Sequence, residues 1–202
     1  MTTREKVKTT IKMVFLALAS PLYLLYRLIS IPCNADSTFQ TCSQLLSLIP
    51  GKAGIYLRAA FYRLACPETS DDISIGFLTV FSHCDTTIGK GVYIGPQGNI
   101  GKCRIKANTL LGSGVHILSG KGQHNFERQD APIKEQGGSF EKITVGEDCW
   151  IGNGAIVMAG VPDHCIIAAG SVYTQELEQP WSIAGGNPAR LLKTRNEGES
   201  KG

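Results

Sequence analysis

The sequence predicts an all-β body, a parallel β-helix, preceded by a helical region that seeks a membrane. Three observations predict it. Aliphatic-Gly pairs recur on a six-residue period, a long polar excursion interrupts that period without shifting its register, and a run of about twenty residues near the N-terminus carries a single charge. The 202 residues suffice for one modest domain with an appendage.

The first twelve residues set Arg4, Lys6, Lys8 and Lys12 against Glu5. Met13 to Pro32 follows with only Arg27, a length able to cross a bilayer. It is long for a cleaved signal peptide, and no small-x-small site closes it. Pro21 falls in the middle, where a proline removes a helical hydrogen bond and crowds the preceding turn. That predicts a break or a kink there, and a re-entrant or interfacial helical hairpin in preference to a true span. Further on, Leu45, Leu46, Leu48 and Ile49 run into Pro50-Gly51, and Ile55 to Cys66 reads as a short helix with Arg58 and Arg63 among aromatic and aliphatic residues. Such a helix suits the headgroup layer, or it caps the open first coil of the body; the two roles are compatible.

Residues 1–72 therefore form the N-terminal region and 73–193 the repeat domain. Ile75-Gly76, Ile88-Gly89, Ile94-Gly95, Ile100-Gly101, Leu111-Gly112, Val145-Gly146 and Ile151-Gly152 mark the repeats. Each hexapeptide makes one flat side of a coil. The aliphatic residue points inward, Gly turns where a Cβ has no room, and a residue four places on (Val92, Val115, Cys149, Ala155) fills the corner. Ile105 follows Ile100 by five, which predicts a bulge or turn adjustment. Val161 closes one block and opens the next, which predicts a shortened corner. Stacked coils share a parallel hydrogen-bond ladder, so no coil is stable alone.

The excursion, residues 119–142, is glycine-bearing at both ends and charged in the middle. A loop of that length on a compact coil is functional or disordered. Beyond Tyr173 the chain leaves the coil, and Gly186-Asn187-Pro188-Ala189-Arg190 reads as a sharp turn entering a basic helix start. Residues 194–202 form a charged tail that should fray.

A net charge of +3 with no arginine-rich stripe argues against nucleic acid as a partner. Seven cysteines without a CxxC pair read as reduced structural thiols, with Cys149 and Cys165 at inward positions and no nucleophile motif around any of them. His83, His116 and His164 stand apart, so no metal site is expected. His124, in Gly-Lys-Gly-Gln-His124-Asn-Phe-Glu at the start of the excursion, is the remaining histidine. An imidazole, ordinarily titrating near 6.5, is the usual base for a hydroxyl or amine at neutral pH, although a loop histidine taken by itself is more often a surface residue.

The repeats, the Trp150-Ile151-Gly152 block, the Ala168-Ala169-Gly170-Ser171 block and the Gly186-x-Pro188-Ala189-Arg190 ending resemble the hexapeptide-repeat acyltransferases. Within that family the chain is similar to the galactoside and maltose acetyltransferases and to the colanic acid and capsule O-acetyltransferases, over about residues 73 to 193. The resemblance implies a left-handed β-helix, against the usual right-handed crossover rule, assembled as a homotrimer with each site between subunits and acetyl-CoA as co-substrate without a metal. It makes His124 the general base. It assigns Trp150 to the acyl or acceptor pocket, although an outward aromatic covering a subunit interface explains the residue equally well. Ala169, Gly170 and Ser171 would let the pantetheine arm approach, with Pro188 in the closing turn and Arg190 and Lys193 facing the CoA phosphates. Ala168 departs from the glycine that opens that block in the family. The implied function is O-acetylation of a sugar hydroxyl, and the apolar N-terminus points to a lipid-linked polysaccharide precursor at the cytoplasmic face of the inner membrane, where acetyl-CoA is supplied. N-acetylation of a nucleotide-linked amino sugar or another small molecule, and a non-catalytic trimeric scaffold, are the alternatives.

Overall fold

A coil too thin to bury its own interior must stack, and the strands do so on three sides. In the computed structural model, which describes residues 2–195, the first side runs β1 (Ser74–Ile75), β4 (Tyr93–Ile94), β7 (Leu110–Leu111), β10 (Trp150–Ile151), β12 (Ile166–Ile167) and β14 (Ser182–Gly186). The second runs β2 (Val80–Phe81), β5 (Asn99–Ile100), β8 (His116–Ile117), β11 (Ile156–Val157) and β13 (Val172–Tyr173). The third holds β3 (Thr87–Ile88), β6 (Cys103–Ile105) and β9 (Ile143–Val145). Pairing along each side is parallel up to β14, and the second residue of each pair points in. Ile75, Ile94, Leu111, Ile151 and Ile167 form one fully buried column, and Ile88, Ile105 and Val145 another. Burying each such side chain stabilises by roughly 1.5–3 kcal/mol, a gain that exists only once coils stack.

Gly95 illustrates why glycine follows the inward residue. A Cβ there would lie 2.7 Å from the backbone of Gly112 and Ser113 in the next coil. The predicted irregularities are adjustments of corner length. β5 ends at Ile100 and β6 begins at Cys103, so one corner is compressed to two residues. Val161 bridges Val145 and stands in for a strand on the third side, consistent with the shortened corner.

The open first coil would leave a row of unpaired backbone groups. α2 (Ala35–Ser47) and α3 (Gly51–Ala65) close it with side chains and carbonyls. Ser43 accepts from the Phe81 N–H at 2.8 Å, Asp36 from the Cys84 N–H at 2.8 Å, and the Ser47 carbonyl from the Leu78 N–H at 2.9 Å. Arg58, fully buried, donates to the carbonyls of Ile75 (2.9 Å), Leu46 (2.9 Å) and Ile49 (2.8 Å). Arg58 is thus buried in the cap rather than free to face a headgroup layer, and α3 fills the capping role. Helices of 27, 13 and 15 residues precede the coil and the sheet of the first side is mixed, so the chain is a β-helix with an α-helical cap rather than all-β.

α1 (Thr3–Ile29) runs unbroken through Pro21, against the predicted break. The reason is its seat on α3. Phe15 stacks on Tyr56 with centroids 5.4 Å apart, Tyr26 meets Phe61 at 6.2 Å, and Lys8 pairs with Asp72 at 2.7 Å. These contacts hold the helix on both sides of Pro21, which itself lies on the exposed flank. α1 ends at Ile29 and α2 begins at Ala35, so the turn lies at the end of the run and no helical hairpin forms around Pro21.

The C-terminal segment also differs from its prediction. After Gly186 a cis Asn187-Pro188 turn leads into β15 (Ala189–Thr194), a strand antiparallel to β14 rather than a helix. The edge of β14 supplies the partner that a helix start would forgo. Thr194 closes β15 and the Arg195 N–H donates to the Trp181 carbonyl at 2.7 Å, while the rest of the predicted tail, 196–202, lies outside the described residues.

Candidate functional site

The excursion departs between β8 and β9, at the corner joining the second and third sides, and folds back on itself as an irregular hairpin. The Glu141 N–H donates to the Ser119 carbonyl (2.9 Å), Ser139 to Gly122 (2.7 Å) and Asn125 to Gly137 (3.0 Å). Gly138 lets the returning chain pass behind the histidine. Its φ is +155°, and a Cβ there would collide with the Gln123 carbonyl and lie 2.8 Å from the backbone nitrogen of His124. The base of the hairpin is pinned to the first coil. Lys142 pairs with Asp85 at 2.6 Å, Lys102 joins at 3.2 Å, and Phe140 packs on the His83 ring at 5.1 Å. The hydrogen bond from Lys142, aided by Lys102, holds the Asp85 carboxyl below its usual pKa despite partial burial.

His124 is exposed at this hairpin, and its ring makes no hydrogen bond among the described residues. Two nearby carboxylates that could have oriented it are engaged elsewhere: Glu127 accepts from the Phe126 N–H at 3.1 Å, and Asp130 pairs with Arg128 at 2.7 Å. Beside the hairpin base lies a polar cavity of about 270 Å³ lined by Ser82, His83, Asn99, His116, Gln123 and Phe140, with Gln40 supplied by α2. Sequence reasoning set His83 and His116 aside as isolated. Coil register is the signal that pairs His116 with Asn99, since β5 and β8 are direct neighbours. The place of His83 depends on Phe140 folding back across it, which no spacing announces.

The other predicted site residues gather at a different corner. Ala169 and Gly170 are exposed between β12 and β13, where the first and second sides meet. The Gly186 N–H donates to Ser171 Oγ at 3.1 Å, which ties the turn carrying Pro188 to this corner and leaves the Ser171 hydroxyl buried. Ala168, the departure from the family pattern, turns its methyl toward Gly185, where a Cβ would be only 3.2 Å away. Arg190 and Lys193 are exposed on β15. Trp150 is 55% exposed on the first side, in register with Tyr93 and Leu110, themselves 45% and 48% exposed. That apolar row fits the interface reading of Trp150 as well as a pocket. One chain therefore joins Ala169, Gly170, Ser171, Pro188, Arg190 and Lys193 and leaves His124 at another corner.

Cys149 and Cys165 are buried, and burial pushes the Cys149 thiol up to about 12 and raises that of Cys165. Thiols so protonated are poor nucleophiles.

No protein-family profile matches the chain. It is 32% identical over 119 residues to a probable macrolide acetyltransferase of Lysinibacillus sphaericus, a match covering 51% of this chain and 63% of that protein. The chain spans less than two thirds of the length of the curated relatives it matches. Among solved structures it is similar to a maltose O-acetyltransferase from Clostridium difficile 630, with a TM-score of 0.65 and 20% identity over 80% of this chain and 88% of that one. It is also similar to a galactoside acetyltransferase in complex with coenzyme A, with a TM-score of 0.52 and 17% identity over 80% and 83% of the two chains. The stacked three-sided coil is thus the fold of the hexapeptide-repeat acetyltransferases, and the chain resembles them in sequence over about half its length.

Proposed function

We infer that the chain transfers an acetyl group from acetyl-CoA to a sugar hydroxyl, with a lipid-linked polysaccharide precursor as acceptor. The observation that carries this is His124 on a pinned hairpin beside a polar cavity with one aromatic wall, the composition that suits a polyhydroxylated acceptor. In the reaction His124 takes the proton of the acceptor hydroxyl as its oxygen attacks the thioester carbonyl. The C–S bond breaks as the new C–O bond is completed, and the imidazolium returns the proton to the thiolate of CoA. Such a base contributes roughly 10²–10⁴-fold, and the remainder comes from positioning both substrates. The thiols of Cys149 and Cys165, raised by burial, argue against either carrying an acyl-enzyme.

The donor would lie along Ala169 and Gly170, whose exposed backbone admits a narrow chain, with Pro188 in the adjoining turn. Arg190 and Lys193 would meet its phosphates as point charges. Because His124 stands at another corner of the coil, the complete site needs a second copy, and a homotrimer packed through the Tyr93, Leu110 and Trp150 row supplies one in each groove.

Among the described residues, α1 is the one helix long and apolar enough to cross a bilayer. Its seat along α3 favours lying in the interface instead. Val14, Leu18, Leu25 and Leu28 share its open flank, all at least 50% exposed. This open flank supports a seat on the membrane, and the proposed reading puts it at the cytoplasmic face beside a lipid-linked acceptor. A drug-like acceptor is the second reading, favoured by the macrolide acetyltransferase relative; the polar lining of the cavity weighs against it.

The deciding experiment is mass spectrometry of the cell's surface glycan with and without the protein, paired with calorimetry of coenzyme A. Loss of acetyl groups together with CoA binding is expected. An unchanged glycan and no CoA binding would leave only the scaffold.

A further inference from the structure

A second cavity, about 590 Å³ in volume, lies on the first side between α1, α3 and the opening coil, a size ordinarily associated with ligand sites. Its floor is apolar, made by Leu16, Ile55, Tyr56 and Val92, and its rim is cationic. Lys8, Lys12, Lys52 and Arg63 line it against Asp71 and Asp72, two more cations than carboxylates. Lys8 and Lys12 are held by those aspartates at 2.7 and 3.3 Å, and Arg63 donates to the Thr69 carbonyl at 2.8 Å. Lys52, at the start of α3, makes no ion pair among the described residues. Met13 belongs both to the lining and to the exposed side of α1, being 61% exposed, so the groove continues onto the apolar flank of that helix.

We propose that this groove holds one anionic phospholipid, with an acyl chain on the Leu16, Ile55, Tyr56 and Val92 floor and its phosphate at the rim beside Lys52. An apolar trough opening onto an apolar helix flank selects a hydrocarbon chain, and surplus positive charge selects an anionic headgroup over a zwitterionic one. The lipid would fix the depth and tilt of α1 in the bilayer, independently of whether acetyl transfer is the reaction.

The test uses the full-length protein and short-chain phosphatidylglycerol below its micelle concentration, followed by native mass spectrometry, with phosphatidylcholine and glycerol phosphate as controls. Saturable binding of one phosphatidylglycerol per chain is expected, with weaker binding of phosphatidylcholine and none of glycerol phosphate. Lys52→Ala should weaken it about fivefold. Ser74→Phe, which fills the groove from an outward strand position clear of the core, should abolish it. Glycerol phosphate binding as tightly as the lipid would reveal a plain anion site and overturn the proposal. So would lipid binding unaffected by both substitutions, or a Ser74→Phe protein that dissociates to monomers while keeping its lipid, since the groove would then belong to a second copy.

Discussion

The sealed interior of this protein and its two outward excursions obey different rules. In the coil and its α2–α3 cap, the inward residues of the strands are buried and the open ladder is answered by Ser43, Asp36 and Arg58. α1 and the 119–142 hairpin are pinned by a few contacts and leave their chemistry outside: leucines on one, His124 on the other. The difference teaches that the residues holding the fold together are distinct from those to which a function is proposed. Changes to the excursions should alter activity or membrane binding at constant stability, and changes to the interior should do the reverse.

The largest effect that could break this separation concerns His124. His124→Ala should lower acetyl transfer by roughly 10²–10⁴-fold and leave the thermal midpoint in place, because the exposed ring makes no hydrogen bond among the described residues. Full activity in that variant would remove the base from the mechanism.

Next is the cap. Arg58→Leu leaves the carbonyls of Ile75, Leu46 and Ile49 without their donor, which should cost about 2–4 kcal/mol in urea unfolding. A loss below about 1 kcal/mol would mean the cap is not what closes the first coil.

A smaller shift is expected on α1. Leu18→Glu with Leu25→Glu should reduce vesicle partitioning about tenfold, roughly 1.4 kcal/mol, because side chains at an interface gain only part of their full burial energy. The soluble protein's unfolding midpoint should not move. Equal partitioning of both forms would sink the membrane seat.

The smallest is a pH effect at the hairpin base. Asp85 has a folded-state pKa below its usual value, so the Lys142 and Lys102 contacts are complete above the ordinary carboxylate value of about 3.9 and are lost as pH falls through the lower folded one. Hydrogen exchange in residues 119–142, corrected for intrinsic rate, should rise only in that acidic window. Lys142→Met should show the faster exchange at neutral pH as well.

Much of the body was readable because its signal is local and repeated. Ile94-Gly95 and Ile151-Gly152 announce both an inward side chain and a glycine that the next coil crowds, and Cys149 and Cys165 fall inward by the same count. The excursion and His124 were readable as a departure from that count. The continuity of α1 was not, because Pro21 weighs toward a break until α3 is present to hold both halves. Nor was the strand at Ala189–Thr194, whose partner edge exists only once β14 has joined β12. The cavity containing His83, Asn99, His116 and Gln40 draws on four separate segments.

By itself the sequence determined the parallel coil, the excursion that carries His124 and the apolar character of the leader, since each is written in period or composition. The tertiary structure decided which arginine is buried, which flank of α1 stays open and which corner each site residue occupies. Those outcomes depend on pairings between residues far apart in the chain, and a period carries no information about what will lie across from it.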